Sequence, residues 1–204
     1  MRRIALLTLP VLAVLAAAAA RAGEPPGLLD RLERSMAGVR TVQAEFVQEK
    51  TLAMLREPLR AEGRLCYAAP DRLRWEYTAP EAQGFSMRGS AGRRWDPAGE
   101  ARGVDLARDP VLGPLAGELL AWVKFDLAHI RAAYAVEVLA EDPPVLRLRP
   151  QAPLLGRVLD RLDLAFAPDL RSVVRVEYRE PDGDATAITF HHMVLDAPLG
   201  DGLF

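Results

Sequence analysis

The stretch from Gly63 to Pro80 reads GRLCYAAPDRLRWEYTAP, and its pattern decides the fold. Leu65 and Tyr67 stand two apart before Pro70; Leu73, Trp75 and Tyr77 stand two apart after it. Arg72, Arg74 and Glu76 fall between the large apolar groups of the second run. A period of two with polar partners marks a strand with one wet and one dry face. Pro70-Asp71 supplies a turn, so the two runs are predicted to form a hairpin. So bulky a dry face needs a large apolar surface against it.

Toward the N-terminus, Leu28, Leu29, Leu32 and Met36 have the spacing of one helix face, between Pro25-Pro26-Gly27 and Gly38. Val42, Ala44 and Phe46 then alternate with Gln43, Glu45 and Val47 as a strand, and Leu52, Met54 and Arg56 read as a second one ending at Glu57-Pro58. Beyond the hairpin, Phe85 and Met87 mark a short strand and Gly89 to Gly92 a turn. Arg93 to Trp95 mark another strand, stopped by Asp96-Pro97. Strands that follow one another at once predict sequential antiparallel pairing.

The middle of the chain breaks this pattern. Between Pro110 and Phe125 stand Val111, Leu112, Leu115, Leu119, Leu120, Trp122 and Val123, with only Glu118 and Lys124 charged. Gly113-Pro114 and Gly117 predict short helical pieces there rather than one rod, and Asp126 is placed to cap a further turn through Ile130. Strands resume with Tyr134 to Val138, Val145 to Leu148, Leu159 to Phe166 and Val173 to Tyr178. Asp182-Gly183 then turns the chain into a last strand with Ile188 and Phe190.

At the start, Arg2 and Arg3 precede the apolar run Ile4 to Ala20, and Ala20-Arg21-Ala22 has the form of a signal cleavage site. We expect residues 1–22 to be removed and residues 23–204 to form one exported domain. The formal net charge is −2, and the expected leader would take three arginines with it, so nucleic acid is not an expected partner. The lone Cys66 cannot form an intramolecular disulfide and reads as a buried, inert thiol.

The sequence offers no catalytic constellation. Neither Ser86 nor Ser90 completes a nucleophile elbow, and the neighbouring His191 and His192 would point to opposite faces of a strand. Asp182 and Asp184 are explained by a turn, and no glycine-rich phosphate loop occurs. No enzyme, metal or cofactor is expected. Arg60, Arg64, Arg72, Arg74, Arg88, Arg93 and Arg94, interleaved with Glu62, Glu76 and Glu81, read as the solvated face of a sheet.

Several segments together resemble a known family. They are Phe46-Val47-Gln48, Gly63-Arg64-Leu65, Pro70 followed by Arg74-Trp75-x-Tyr77-x-x-Pro80, Trp95-x-Pro97, and the closing run Asp196 to Phe204 with Pro198 and Leu199. Their order and spacing are similar to those of the periplasmic outer-membrane lipoprotein carriers, the LolA family. The resemblance implies an α+β fold, an incomplete antiparallel β-barrel whose concave apolar face is covered by short helices. It places Phe46, Leu65, Tyr67, Leu73, Trp75, Tyr77, Phe85, Met87 and Trp95 on a lipid-binding cavity. Leu112, Leu115, Leu119, Leu120 and Trp122 would form its lid. It also implies a monomeric periplasmic carrier of lipoprotein acyl chains, loaded by an inner-membrane donor complex and unloaded by an outer-membrane acceptor. The alternatives are a related carrier of another lipid or acylated product, and a sensor or scaffold with a closed core. One departure is plain: Ala69 stands where the best-known carriers place an arginine that ties lid to barrel. The lid here is expected to be held by other residues.

Overall fold

The computed structural model describes residues 27–200 and 202–204; the expected leader lies outside them. Helix α1 (Leu28–Ala37) buries Leu32 and Met36, the face that its spacing marks out, and stops at Gly38. Strands β1 (Thr41–Thr51), β2 (Leu59–Ala68), β3 (Arg72–Ala79), β4 (Gln83–Arg88), β5 (Ala91–Trp95) and β6 (Ala101–Asp105) follow. Helices α2 (Leu112–Lys124) and α3 (Leu127–Ala133) come next, then β7 (Tyr134–Glu141), β8 (Pro144–Pro150), β9 (Arg161–Phe166), β10 (Val173–Arg179) and β11 (Ala185–Leu195).

The strands form one eleven-stranded antiparallel sheet in the order β6-β5-β4-β3-β2-β1-β11-β10-β9-β8-β7. The chain enters at the middle of the sheet and meanders out to one edge. Helices α2 and α3 carry it to the opposite edge, and it then meanders back until β11 pairs with β1. The sheet is not closed into a barrel, since β6 and β7 remain its two edges. Both halves nevertheless feed a single core with the helices. Leu73 and Trp75 from one half, and Leu146, Leu164 and Ile188 from the other, belong to the same buried cluster as Leu119, Phe125 and Ile130.

The opening hairpin forms as its alternation requires. Leu73 and Trp75 are buried, while Arg72, Arg74 and Glu76 lie on the other face. Register brings Leu65, Trp75 and Phe85 into one cross-strand row and Tyr67, Leu73 and Met87 into the next. Opposite Phe46, β2 has Gly63, and a side chain there would collide with the Phe46 ring at 2.3 Å and the Glu76 carbonyl at 2.2 Å. A glycine beneath an aromatic ring lets the ring lie flat over the neighbouring backbone. Phe46 uses that gap to stack on Trp75, with ring centroids 4.3 Å apart.

Three local expectations are corrected. Leu52 to Arg56 is a turn, not a strand. Met54 is 86% exposed there, and the register pairing Lys50 with Leu59 leaves that span to reverse the chain. Strand β6 is absent from the sequence reading because its only large apolar residue, Val104, gives no alternation to detect. Helix α2 is continuous. Gly113 and Pro114 fall in its first turn, where a proline sacrifices no intrahelical bond, and Gly117 is accommodated within it. Asp126 does cap α3, accepting a hydrogen bond from the His129 amide at 3.0 Å.

Gly63→Ala should lower stability by about 1–3 kcal/mol in urea denaturation, because neither the ring nor the carbonyl beside it can withdraw freely. Gly103→Ala, with nothing within 4 Å of the added carbon, is the control and should stay within about 0.5 kcal/mol of the parent. Similar losses for the two would contradict the packing described.

Candidate functional site

Between the inner face of β3–β4 and helix α2 lies a cavity of about 780 Å³. Trp75, Tyr77 and Phe85 line it from the sheet, and Leu112, Leu115, Leu119 and Trp122 from α2. Leu162, Tyr178 and Ile188 close it from the other half of the sheet. The volume falls within the range of pockets that take small organic ligands, about 300–1,000 Å³. Tyr77 donates its hydroxyl to Gln48 Oε1 at 2.8 Å, and burial pushes the phenol above its ordinary range.

Of the cavity residues expected from sequence, Trp75, Tyr77 and Phe85 line it directly. Phe46, Leu65, Tyr67, Leu73 and Met87 are buried behind that surface in the core and do not face the space. Phe46 acts through its neighbour by backing the Trp75 indole. Trp95 also lines the cavity, although its register groups it with the outer-face residues. Its strand partner is Gly84, so the indole lies over that glycine on the outer face, beneath the Arg74 guanidinium at 4.3 Å. Four of the five expected lid residues line the cavity. Leu120 is half-buried against the core instead.

The sequence reading missed the contribution of the second half of the sheet. Leu162 and Ile188 were assigned to strands, but nothing local says that β9 and β11 face β3. That follows from the pairing of β11 with β1. It also misplaced one arginine. Phe85 and Arg94 are register partners and therefore share a face, as do Arg94 and Arg102. Arg94 and Arg102 line the cavity, while Arg93 lies on the outer side opposite Ser86.

Helix α2 is fastened at its start and at its middle. Asp109 accepts hydrogen bonds from the amides of Val111 at 3.0 Å and Leu112 at 2.7 Å, and these hold its carboxyl below the usual range. Gly113 lies so close to the Leu106 carbonyl that an added carbon would sit 2.2 Å from it. Further along, Glu118 accepts a hydrogen bond from the Tyr134 hydroxyl at 2.9 Å and lies 3.0 Å from His129 Nε2. Burial, and then the Glu118 charge, push the Tyr134 phenol far above its ordinary range. Glu118 thereby ties α2 to α3 and β7, whereas Ala69 packs against the core. Trp122 Nε1 is buried and has no hydrogen-bond partner among the described residues.

Other candidate chemistry is already engaged. Glu180, Asp182 and Asp184 lie near one another. However, Glu180 pairs with Lys50, Asp182 accepts from the Asp184 amide, and Asp184 accepts from the Ala53 amide. Cys66 is half-buried on the outer face, and burial pushes its thiol upward. His192 contacts Glu45 at 2.9 Å on the surface.

Residues 37–204 match the family model described as outer membrane lipoprotein carrier protein LolA. The chain belongs to that family. Its fold is similar to that of MucB in the MucA/MucB complex of Pseudomonas aeruginosa, at TM-score 0.51 and 13% identity, over 85% of this chain and 58% of that one. MucB solved alone gives 0.51 and 14% identity, over 85% and 59%. This chain thus spans under three fifths of MucB. A LolA superfamily protein from Nitrosomonas europaea is similar at TM-score 0.41 and 11% identity, over 85% and 94%. None of the curated proteins matches the chain.

Removing the Glu118 carboxylate leaves the part-buried Tyr134 hydroxyl without its acceptor. Glu118→Ala should cost about 1–3 kcal/mol and speed amide hydrogen exchange along α2 more than in β8 or β9. Uniform exchange changes across all three elements would mean that Glu118 does not fasten the helix.

Proposed function

We propose that this member of the LolA family is a periplasmic carrier that shields acyl chains in the cavity between β3–β4 and α2. The observation that carries the reading is the cavity itself, open space with Trp75, Phe85, Leu119 and Ile188 around it in a sheet that does not close. Family membership supports lipoprotein acyl chains as the client, taken from an inner-membrane donor and passed to an outer-membrane acceptor. Cleavage of residues 1–22 and export of one domain, 23–204, belong to the same proposal.

The physical basis is an exchange of apolar surfaces. Burying a methylene contributes about 0.8 kcal/mol, and burying apolar area about 25 cal/mol per Å². A chain entering the cavity replaces contacts between α2 and the sheet with contacts of its own. Net affinity then depends on how little the rearrangement of α2 costs. No covalent step is required, so release needs only an acceptor that offers the same area.

Titration with a fluorescent fatty-acyl probe tests this. Leu115 is 47% exposed on α2 and lines the cavity, so Leu115→Glu places a charge against the ligand with little damage to the core. It should weaken binding roughly tenfold or more, equivalent to at least about 1.4 kcal/mol. Arg88→Glu lies outside the cavity lining and should leave affinity unchanged. Failure of the parent protein to bind any acyl probe would sink the carrier reading.

A further inference from the structure

Among the described residues, six charged side chains line the cavity: Arg94, Asp96, Glu100, Arg102, Asp109 and Glu118. Five of them are engaged within the protein. Asp96 accepts a hydrogen bond from the Glu100 amide at 3.0 Å, and Glu100 pairs with Arg102 at 2.8 Å. Asp109 accepts the Val111 and Leu112 amides at the start of α2, and Glu118 holds Tyr134 and His129. Among the described residues, Arg94 makes no ion pair and no side-chain hydrogen bond.

Its position is set by the sheet. Arg94 stands between Phe85 on β4 and Arg102 on β6, its direct register partners, so all three side chains share the inner face. Arg102 is already paired with Glu100, so Arg94 is the guanidinium on this face left for a bound anion to answer. Polarity also changes along the cavity. The sheet side carries buried Trp75, Phe85, Leu162 and Ile188, whereas Arg94 and Arg102 are exposed. A ligand that fits this gradient has an apolar chain and, at its end, a group that accepts hydrogen bonds from a guanidinium.

Resting on the acyl-carrier reading, but with a lipid rather than a lipoprotein as the client, we propose that the client is an anionic amphiphile whose carboxylate or phosphate is held by Arg94. Arg94 selects the charge of the head, and the apolar wall takes the chain. The Asp109 carboxylate is near enough for the Arg94 charge to be felt, though Asp109 is held mainly by its two backbone amides. It therefore leaves the guanidinium available to a ligand.

Isothermal titration with three probes of one acyl chain, each below its micelle concentration, tests the assignment. The probes are 1-oleoylglycerol, which is neutral, oleate and 1-oleoyl-lysophosphatidate. The intact protein should bind at least one anionic probe about tenfold more tightly than the neutral one, and which of the two gains more distinguishes carboxylate from phosphate. Arg94→Gln should abolish that preference. Arg93→Gln, the next residue but on the opposite face, should retain it. Equal affinity for all three probes leaves acyl carriage standing and overturns the charge assignment, as does a preference that survives in Arg94→Gln. Absence of binding by every probe overturns both.

Discussion

An antiparallel sheet that does not close must cover its inner face with something, and here the face includes Trp75, Phe85, Leu162 and Ile188. Left wet, each such side chain would forfeit about 1.5–3 kcal/mol. The protein meets this constraint by placing the two halves of one sheet, joined at the β1–β11 pairing, around a single apolar helix. Nearly everything distinctive follows from that choice. Helix α2 is apolar over most of its surface because it faces both halves of the sheet. Its fastening relies on Asp109 accepting the Leu112 amide and on Glu118 reaching Tyr134, since few polar groups are left on the helix to do it.

The wall opposite α2 owes its shape to glycine as much as to aromatics. Gly63 leaves room for Phe46 to lie flat and back the Trp75 indole, and Gly84 does the same for Trp95 on the other side of the sheet. The two pairs turn an ordinary pleat into a smooth aromatic surface inside and a ring beneath the Arg74 guanidinium outside. The cavity is what remains when one helix covers a face too large for it. Here most polar groups at its border are engaged with one another, so what the space offers a ligand is mainly apolar area.

Much of this was legible in the chain. Alternation around Trp75 identified a half-buried hairpin, and the density of leucine from Leu112 to Trp122 identified its cover. The order of short motifs identified the family. What stayed hidden depends on pairing between distant strands. The alternation of β5 is too short to say whether Arg93 or Arg94 faces inward, and only its register with Phe85 decides it. The same register puts Trp95 outside, although an aromatic residue in a strand reads as an inward one. Strand β6 has too little apolar content to be seen, and the continuity of α2 was masked by a proline that sits harmlessly in its first turn. Phe46 and Leu73 were correctly placed on the dry side, but burial alone could not tell a residue on the cavity from one behind it.

The central claim is that the space under α2 holds an acyl chain in the working protein. Native mass spectrometry of the protein purified without detergent from an exported fraction addresses it directly. The account predicts a noncovalent complex near one ligand per chain that releases a molecule with one or more acyl groups on activation. A bare chain under every gentle purification condition, with no acylated species recovered by extraction, would contradict it.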